Sequence, residues 1–429
     1  MRALVPVNRV LCLGGMPGLR NVPGLRRVPG IRGLSDVVRV DLPDSDLDRL
    51  RLAVNPATAA FIAPNHPEFF TDWMLDKELS ARLAPLMASW ATHDVVNGMG
   101  AIAQWFWLKN NLIAQIPGAG GAAGRAHSVD WALRGNGVLL HPEGSVGWHA
   151  DHVAPLFPGV AEMAIEAATQ AVRRGSGRSV YIAPVVWKLR FTGDVTAALG
   201  QELARAEAAL GIVAQGDDLP HRVARAYGVV LGREAEAMGV AVDAGAGYFA
   251  IQHRLLERIA ARLRLRLADT EHHLPDPAAD LVDESRIVLR AAERWLRQPS
   301  GDVSEIRQWV RAGRRCLRLT PEMVAAAQWH QEDLAENIKR LRIDWCFGSW
   351  RDALHRFLPV PAGPRVAHVR AAPPILVAPE AYDSASVDAA ASVALLAELR
   401  QRLQHTLDGL LRELAPLRQG PRFANPFLA

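Results

Sequence analysis

Cysteine is scarce in this 429-residue chain: Cys12, Cys316 and Cys346 stand far apart. Three widely separated thiols make neither a disulfide framework nor a zinc site, and a reducing compartment is the natural inference. Lysine is scarce as well, with Lys77, Lys109, Lys188 and Lys339 the only lysines among 49 basic residues. Arginine carries the rest, and its planar fork suits phosphate and carboxylate; the accompanying alanine richness marks much of the bias as compositional. Net charge is only +4, which excludes the basic field of a nucleic-acid partner. No run of eighteen apolar residues exists, so no membrane span is expected. Around Arg2 and Arg9 the apolar stretch is broken and has no signal-peptide core. Any contact with a bilayer is therefore expected at its surface, from the cytoplasmic side. What remains is ordinary for a buried core, 49% hydrophobic and 22% charged, in a chain long enough for two or three domains or one domain with a large insertion.

The informative stretch is Phe61-Ile62-Ala63-Pro64-Asn65-His66-Pro67-Glu68-Phe69-Phe70-Thr71-Asp72-Trp73. The apolar run from Ala59 to Ala63 predicts a buried strand that breaks at Pro64. A helix is expected directly after it, with Pro67 in its first position and Glu68 where the helix dipole favours an anion. His66 then lies at the carboxyl end of a strand, where open α/β sheets place their sites. A histidine with an aspartate nearby offers a base and the group that orients it. A histidine capping the helix, with Asp72 on a solvated face, satisfies the same residues.

A second stretch, His141-Pro142-Glu143-Gly144-Ser145, follows the apolar run Val138 to Leu140, about seventy residues later. The Asn-His…Asp and Pro-Glu-Gly-Ser pair resembles the motifs of the glycerolipid acyltransferases, the lysophosphatidic acid acyltransferase-like enzymes. Two further elements fit that family: a helix opened by Phe157-Pro158-Gly159, and a strand from Val180 to Trp187 carrying Ala183-Pro184-Val185. The resemblance covers roughly residues 58 to 192. It implies an α/β fold, a mixed sheet flanked by helices. It also implies transfer of a fatty acyl group from acyl-CoA or acyl carrier protein to a lysophospholipid or glycerol-phosphate-type acceptor. His66 would be the base and Asp72 its orienter, with direct attack and no acyl-enzyme. Glu143, Gly144, Ser145, Arg125 and Pro184 are the implied substrate-side residues; no metal or resident cofactor is implied.

Two departures stand out. The family spaces its histidine and aspartate with four residues between them, whereas Pro67 to Thr71 makes five. Six helical positions turn through about 600° and rise ~9 Å, so the two side chains would not meet on a regular helix. Either His66 hangs back from the helix or a π-type bulge absorbs the extra residue. Asp76 is the alternative acid if the motif is aligned differently. The family's Pro-Glu-Gly-Thr is also commonly followed by an arginine, and Val146 stands in that place. Arg125, after the glycine-rich Pro117 to Gly124, is the candidate to replace its charge on a phosphate.

Other readings use other residues. His141, Glu143, His149, Asp151 and His152 are dense enough in nitrogen and oxygen to hold zinc in a metal-dependent hydrolase. A catalytically silent homologue that binds lipid or a partner is the other alternative. Residues 1–34 form a basic arm with Pro-Gly pairs at 17, 23 and 29, suited to anionic lipid. Val95 to Leu112 is apolar, with Trp105, Phe106 and Trp107 ahead of Lys109, and is expected either in the core or at a membrane interface. Ser128 to Arg134 predicts a short Ser-capped helix stopped by Gly135. The domain reading is an acyltransferase core at 35–192, a helical insertion at 193–358 and a closing strand and helix at 359–429. In the insertion, Ile251, Leu255, Leu256, Ile259 and Leu263 form an apolar stripe beside Arg254, Arg258 and Arg262. The closing helix is expected to bury Val393, Leu396, Leu399, Leu403, Leu407, Leu410 and Leu414.

Overall fold

The computed structural model describes Leu4, residues 7–8 and residues 37–428, apart from 84–85, 98–99, 116–120, 145, 147–150, 215, 217, 244, 269–273, 275, 279, 297–302, 348–361 and 379–388. The Pro-Gly repeats of the N-terminal arm, Ser145, His149 and Cys12 lie outside the described residues. The chain divides into two compact units, Met1–Asp194 with Leu354–Gln419 and Val195–Ala353 with Gly420–Ala429.

In chain order the first unit runs β1 (Val37–Asp41), α1 (Asp44–Ala53), β2 (Ala59–Pro64), α2 (Phe69–Arg82), β3 (Met87–Thr92), α3 (His93–Asn97), α4 (Ala101–Lys109), β4 (Leu112–Gln115), α5 (Ala122–Leu133), β5 (Gly137–Leu139), α6 (Gly159–Arg173) and β6 (Val180–Phe191). The second unit follows with α7 (Thr196–Ala209), α8 (Leu219–Ala237), α9 (Tyr248–Ala268), α10 (Leu281–Trp295), α11 (Ser304–Cys316), β7 (Gln328–Trp329) and α12 (Gln331–Trp345). The chain returns to the first unit for β8 (Arg365–Ala371), β9 (Ile375–Val377) and α13 (Ala389–Leu414), and β10 (Phe423–Ala424) pairs with β7 in the second.

The first unit is α/β, a mixed and mostly parallel eight-stranded sheet in the order β1-β8-β6-β2-β5-β3-β4, with β9 also on β6. Only β6 meets antiparallel neighbours, β8 and β9. Every residue of β2 is buried, which explains its unbroken apolar run: a strand covered on both faces has no polar alternation. Phe61, Ala63, Val138, Ile182 and Val186 pack under α5, α6 and α13 on one face. Ala60, Ile62, Leu139, Val185 and Trp187 pack under α1 and α2 on the other.

Proline at the centre of a sheet needs a special place. Pro184 occupies the gap between β9, which pairs with residues 180–182, and β8, which pairs with 185–191. Its carbonyl accepts the Ala372 amide at 3.1 Å, so its missing N–H faces the same side, where Ala372-Pro373-Pro374 interrupts the partner strand. The one closing strand expected within 359–429 is thus two, β8 and β9.

Several expectations shift. The helix expected to open at Pro67 starts at Phe69, and Met87 opens β3. The Val95–Leu112 segment contains α3 and α4 and ends in β4, a strand its short apolar run did not announce. Ser128 is mid-helix, because α5 begins at Ala122; its hydroxyl bonds back to Gly124 O at 2.8 Å and accepts Trp90 Nε1 at 2.9 Å. Gly135 does stop that helix, at φ 81°, where a Cβ would lie 2.2 Å from Pro56 O. Asp44 begins α1 without a side-chain cap, and Asp46 pairs with Arg49 instead. On α13, Leu399, Leu403, Leu407, Leu410 and Leu414 are buried as expected, but Leu395 takes the place of Val393, which is 67% exposed.

The second unit is helical. Ile251, Leu255, Leu256, Ile259 and Leu263 of α9 are buried, while Arg254, Arg258 and Arg266 are exposed, Arg254 pairing with Asp243 at 2.5 Å. Trp309 and Trp329 are buried, and Glu202 accepts a buried 2.7 Å bond from Arg342. Cys316 and Cys346 are buried free thiols. Among the described residues, no helix is long and apolar enough to cross a membrane.

Candidate functional site

Asn65 carries the β2–β6 ladder past the point where Pro64 ends it. Its amide donates to Val185 O at 3.1 Å, and its side chain behaves like another peptide. Oδ1 accepts from Trp187 N at 2.9 Å and Nδ2 donates to Trp187 O at 3.1 Å. This fixes the backbone just where it leaves the sheet. His66, Pro67 and Glu68 then bridge to α2, which starts at Phe69 with Glu68 as its extended cap. Pro67 is therefore not in the first helical turn. Glu68 does not cap with its side chain, which forms a two-bonded pair with Arg365 at 2.7 and 3.0 Å.

Because His66 precedes the helix, helical rotation does not govern its reach. His66 Nδ1 lies 2.8 Å from Asp72 Oδ2, so the extra residue in the motif is absorbed by the extended link. Asp72 is fully buried and takes two more donors: Glu68 N on Oδ2 at 2.7 Å and Trp187 Nε1 on Oδ1 at 2.9 Å. With Asp72 as acceptor, His66 carries its proton on Nδ1. Among the described residues Nε2 of His66 makes no hydrogen bond, and the side chain keeps 15% of its surface exposed. A base needs such an open, correctly tautomerised nitrogen.

A second histidine lies directly against the first. Leu140 N donates to Ile62 O at 3.1 Å, and the next residue, His141, sends Nδ1 to Asn65 O at 2.9 Å and Nε2 to Asp76 Oδ2 at 3.4 Å. The His66 and His141 rings stack at 4.0 Å between centroids and 15° between planes. Asp72 and Asp76 sit one turn apart on α2, so one helix face serves both imidazoles. Trp187 meets His141 edge-on at 5.7 Å. Glu143 joins the two motifs: its carboxylate accepts His66 N at 2.7 Å and Ala154 N at 2.9 Å.

Burial and charge set distinct protonation states. Burial, then the charge of His141, holds His66 well below the ordinary imidazole value. Burial would lower His141 too, but the charge and hydrogen bond of Asp76, the charge of Asp72 and the Asn65 carbonyl lift it to about 9. Burial pushes Asp72 well above the usual carboxylate range, while the His141 charge and the N–H donors pull it back. Burial raises Glu143 to about 7, opposed by the amides of Ala154 and His66.

Gly144 stands at φ 69°, and a Cβ there would lie 2.5 Å from the Phe157 ring, whose backbone N–H is bonded to Pro142 O at 2.7 Å. Gly144→Ala is therefore expected to destabilise the protein by about 1–3 kcal/mol. Gly159→Ala is the control, since its Cβ would meet open space. Equal thermal midpoints for the two variants would contradict this close approach.

The other expected site residues fall differently. Arg125, on α5, pairs with Glu162 of α6 at 2.8 Å, so its charge is already matched. Pro184 is buried in the sheet opposite Ala63 and has no exposed face for a substrate. Asp151 pairs with Lys188 and does not join His141 and Glu143 in a metal-ligating group. Among the described residues the one cluster with ligand spacing is His66, Asp72 and His141. Its geometry suits a hydrogen-bonded relay better than an ion. Asp72 and His66 share a direct bond, both nitrogens of His141 are engaged, and stacked rings aim their lone pairs along parallel planes. Asp76 enters from sequence only as an alternative acid for the motif, not as the partner of His141, and Trp187 has no role there. A spacing of four between two aspartates on one helix is the only available signal for Asp76, and Trp187 has none.

No protein-family model matches the chain, and a search of curated proteins finds no match.

Proposed function

We propose that the chain is an O-acyltransferase. It would move a fatty acyl group from an acyl thioester, acyl-CoA or acyl carrier protein, to the hydroxyl of a lysophospholipid or glycerol-phosphate-type acceptor. The observation that carries this reading is the His66–Asp72 pair, with an open Nε2, at the carboxyl end of a parallel strand, clamped from behind by the glutamate of the Pro-Glu-Gly turn. His66 Nε2 takes the acceptor's proton as its oxygen attacks the thioester carbonyl. The tetrahedral intermediate then collapses with loss of thiolate, which recovers the proton from the imidazolium. Asp72 holds the tautomer and stabilises that imidazolium. Among the described residues the site offers no acyl-enzyme nucleophile positioned against His66. The resemblance of these two motifs to the glycerolipid acyltransferases adds the substrate class.

The test is thiol release from acyl-CoA with a panel of lysophospholipids and glycerol 3-phosphate. Release that requires no acceptor would make the chain a thioesterase. No release from acyl-CoA, or from acyl carrier protein tested in its place, across the panel would leave a silent, lipid-binding homologue.

The acceptor's lipid character implies contact with a membrane surface, and α4 offers one. Ile102, Trp105 and Leu108 recur at intervals of three and are 87%, 57% and 55% exposed, while Trp107 turns inward at 6%. The helix has no acidic residue and ends in exposed Lys109. Flotation with anionic vesicles is expected at low salt, weakening as salt rises because exposed charges are screened over ~8–10 Å. Trp105→Ala should reduce it. Equal recovery with neutral and anionic vesicles would remove the electrostatic part of this reading.

A further inference from the structure

We propose that His141 is a positioning residue for the base: a fixed imidazolium, stacked on His66, that keeps the neighbouring imidazole neutral and ready to accept a proton. This deepens the acyltransferase reading and rests on it for its catalytic meaning, although the electrostatic claim stands on the two rings alone.

The hydrogen bonds define the state of His141. Nδ1 faces a carbonyl oxygen, that of Asn65 at 2.9 Å, and Nε2 faces a carboxylate oxygen of Asp76 at 3.4 Å. The carbonyl can only accept, and Asp76 as a carboxylate accepts too; between two acceptors both ring nitrogens donate, and an imidazole that donates twice is charged. His66 faces one carboxylate and carries one open nitrogen. Two parallel rings 4.0 Å apart cannot both hold a positive charge without strong repulsion in a buried setting. His141, with two acceptors, takes the charge, and His66 remains the free base.

The surroundings reinforce that division. From α2, Asp76 faces His141, Asp72 faces His66, and Glu68 lies beside Asp72 but is matched by Arg365. From the turn, Glu143 faces the His66 amide. From β6, Trp187 donates to Asp72 and sets its ring edge-on to His141. The arrangement places the positive charge on His141, between Asp76 on one side and the neutral ring of His66 on the other. Removing the positive member raises the proton affinity of His66 and of Asp72 together, which inhibits the base at low pH. This agrees with the lowered His66 and raised His141 values. The direction follows: the acidic limb of the activity profile moves to higher pH when the His141 charge is lost.

The experiment uses the full chain carrying nitrogen-15 histidine, the His66 and His141 signals being assigned by single substitutions. In the parent at pH 7, His141 should show both nitrogens protonated and His66 the Nδ1–H neutral tautomer. Asp76→Asn removes the charge that holds His141 and preserves shape; His141→Phe preserves the ring and removes the charge. In either variant the acidic limb of transfer is expected to move up by about one pH unit or more, and in Asp76→Asn the His66 resonance should titrate higher by a similar amount. A merely structural His141 would lower activity at every pH and leave the midpoint alone, which would overturn the proposal. So would a neutral His141 at pH 7 in the parent. If no transfer is found at all, the resonance shifts still decide the electrostatic claim, and only the acyltransferase reading fails.

Discussion

Replacing His66 with alanine is expected to lower thiol release by about 10²-fold or more, the usual contribution of a positioned base. The thermal midpoint should move little. His66 is neither a core residue nor the sole support of a neighbour: Asp72 keeps the amide of Glu68 and the indole of Trp187, and His141 keeps both acceptors. The backbone N–H that bonds Glu143 survives the substitution as well, so the clamp between the two motifs stays closed. A large loss of activity with an intact unfolding transition therefore separates chemistry from folding. Activity within threefold of the parent would remove His66 from the role of base.

Much of the site was legible because it depends on local punctuation. The run Ala59 to Ala63 had to be a strand covered on both faces, and Pro64 had to end it. The same logic placed His141 and Glu143 after Val138 to Leu140. What the sequence could not give was the third dimension of the link between them. Five residues between His66 and Asp72 look wrong on a helix, yet they are compatible once the helix starts at Phe69 and His66 stays in extended backbone. Helix starts are poorly marked when the cap makes no side-chain bond, and here Glu68 is drawn away to Arg365, nearly three hundred positions later. The pairing of His141 with Asp76 crosses 65 positions and leaves no periodic trace. Strands β3 and β4 were missed for a related reason. Met87–Thr92 and Leu112–Gln115 are short, lie toward one edge of the sheet and mix small and polar residues into their apolar runs. The Trp105–Trp107 triplet had two competing readings, core and interface, and the helix divides them, with Trp107 inward and Trp105 outward.

Asp72→Asn is the second substitution with a large expected effect, and it damages both folding and chemistry. The carboxylate receives three N–H groups, from His66 and Glu68 on Oδ2 and from Trp187 on Oδ1. An amide offers one oxygen and one NH2, so one side must oppose donor to donor. With the oxygen kept toward His66, the Trp187 N–H is left buried and unpaired, costing about 1–3 kcal/mol. With the amide turned the other way, its NH2 faces the Glu68 amide and forces His66 to accept on Nδ1. The proton then moves to Nε2, the nitrogen that has to remain open. The expected loss of transfer is on the order of 10²–10⁴-fold, as for a base held in the wrong tautomer, with a measurable fall in the unfolding midpoint. Asp76→Asn provides the contrast. It weakens a single 3.4 Å bond to His141 and leaves the His66 tautomer alone, so its plateau at high pH should fall far less than that of Asp72→Asn. Were the order reversed, with Asp72→Asn within threefold of the parent and Asp76→Asn nearly inactive, the working pair would be His141 and Asp76, and His66 would be the ring that supports it.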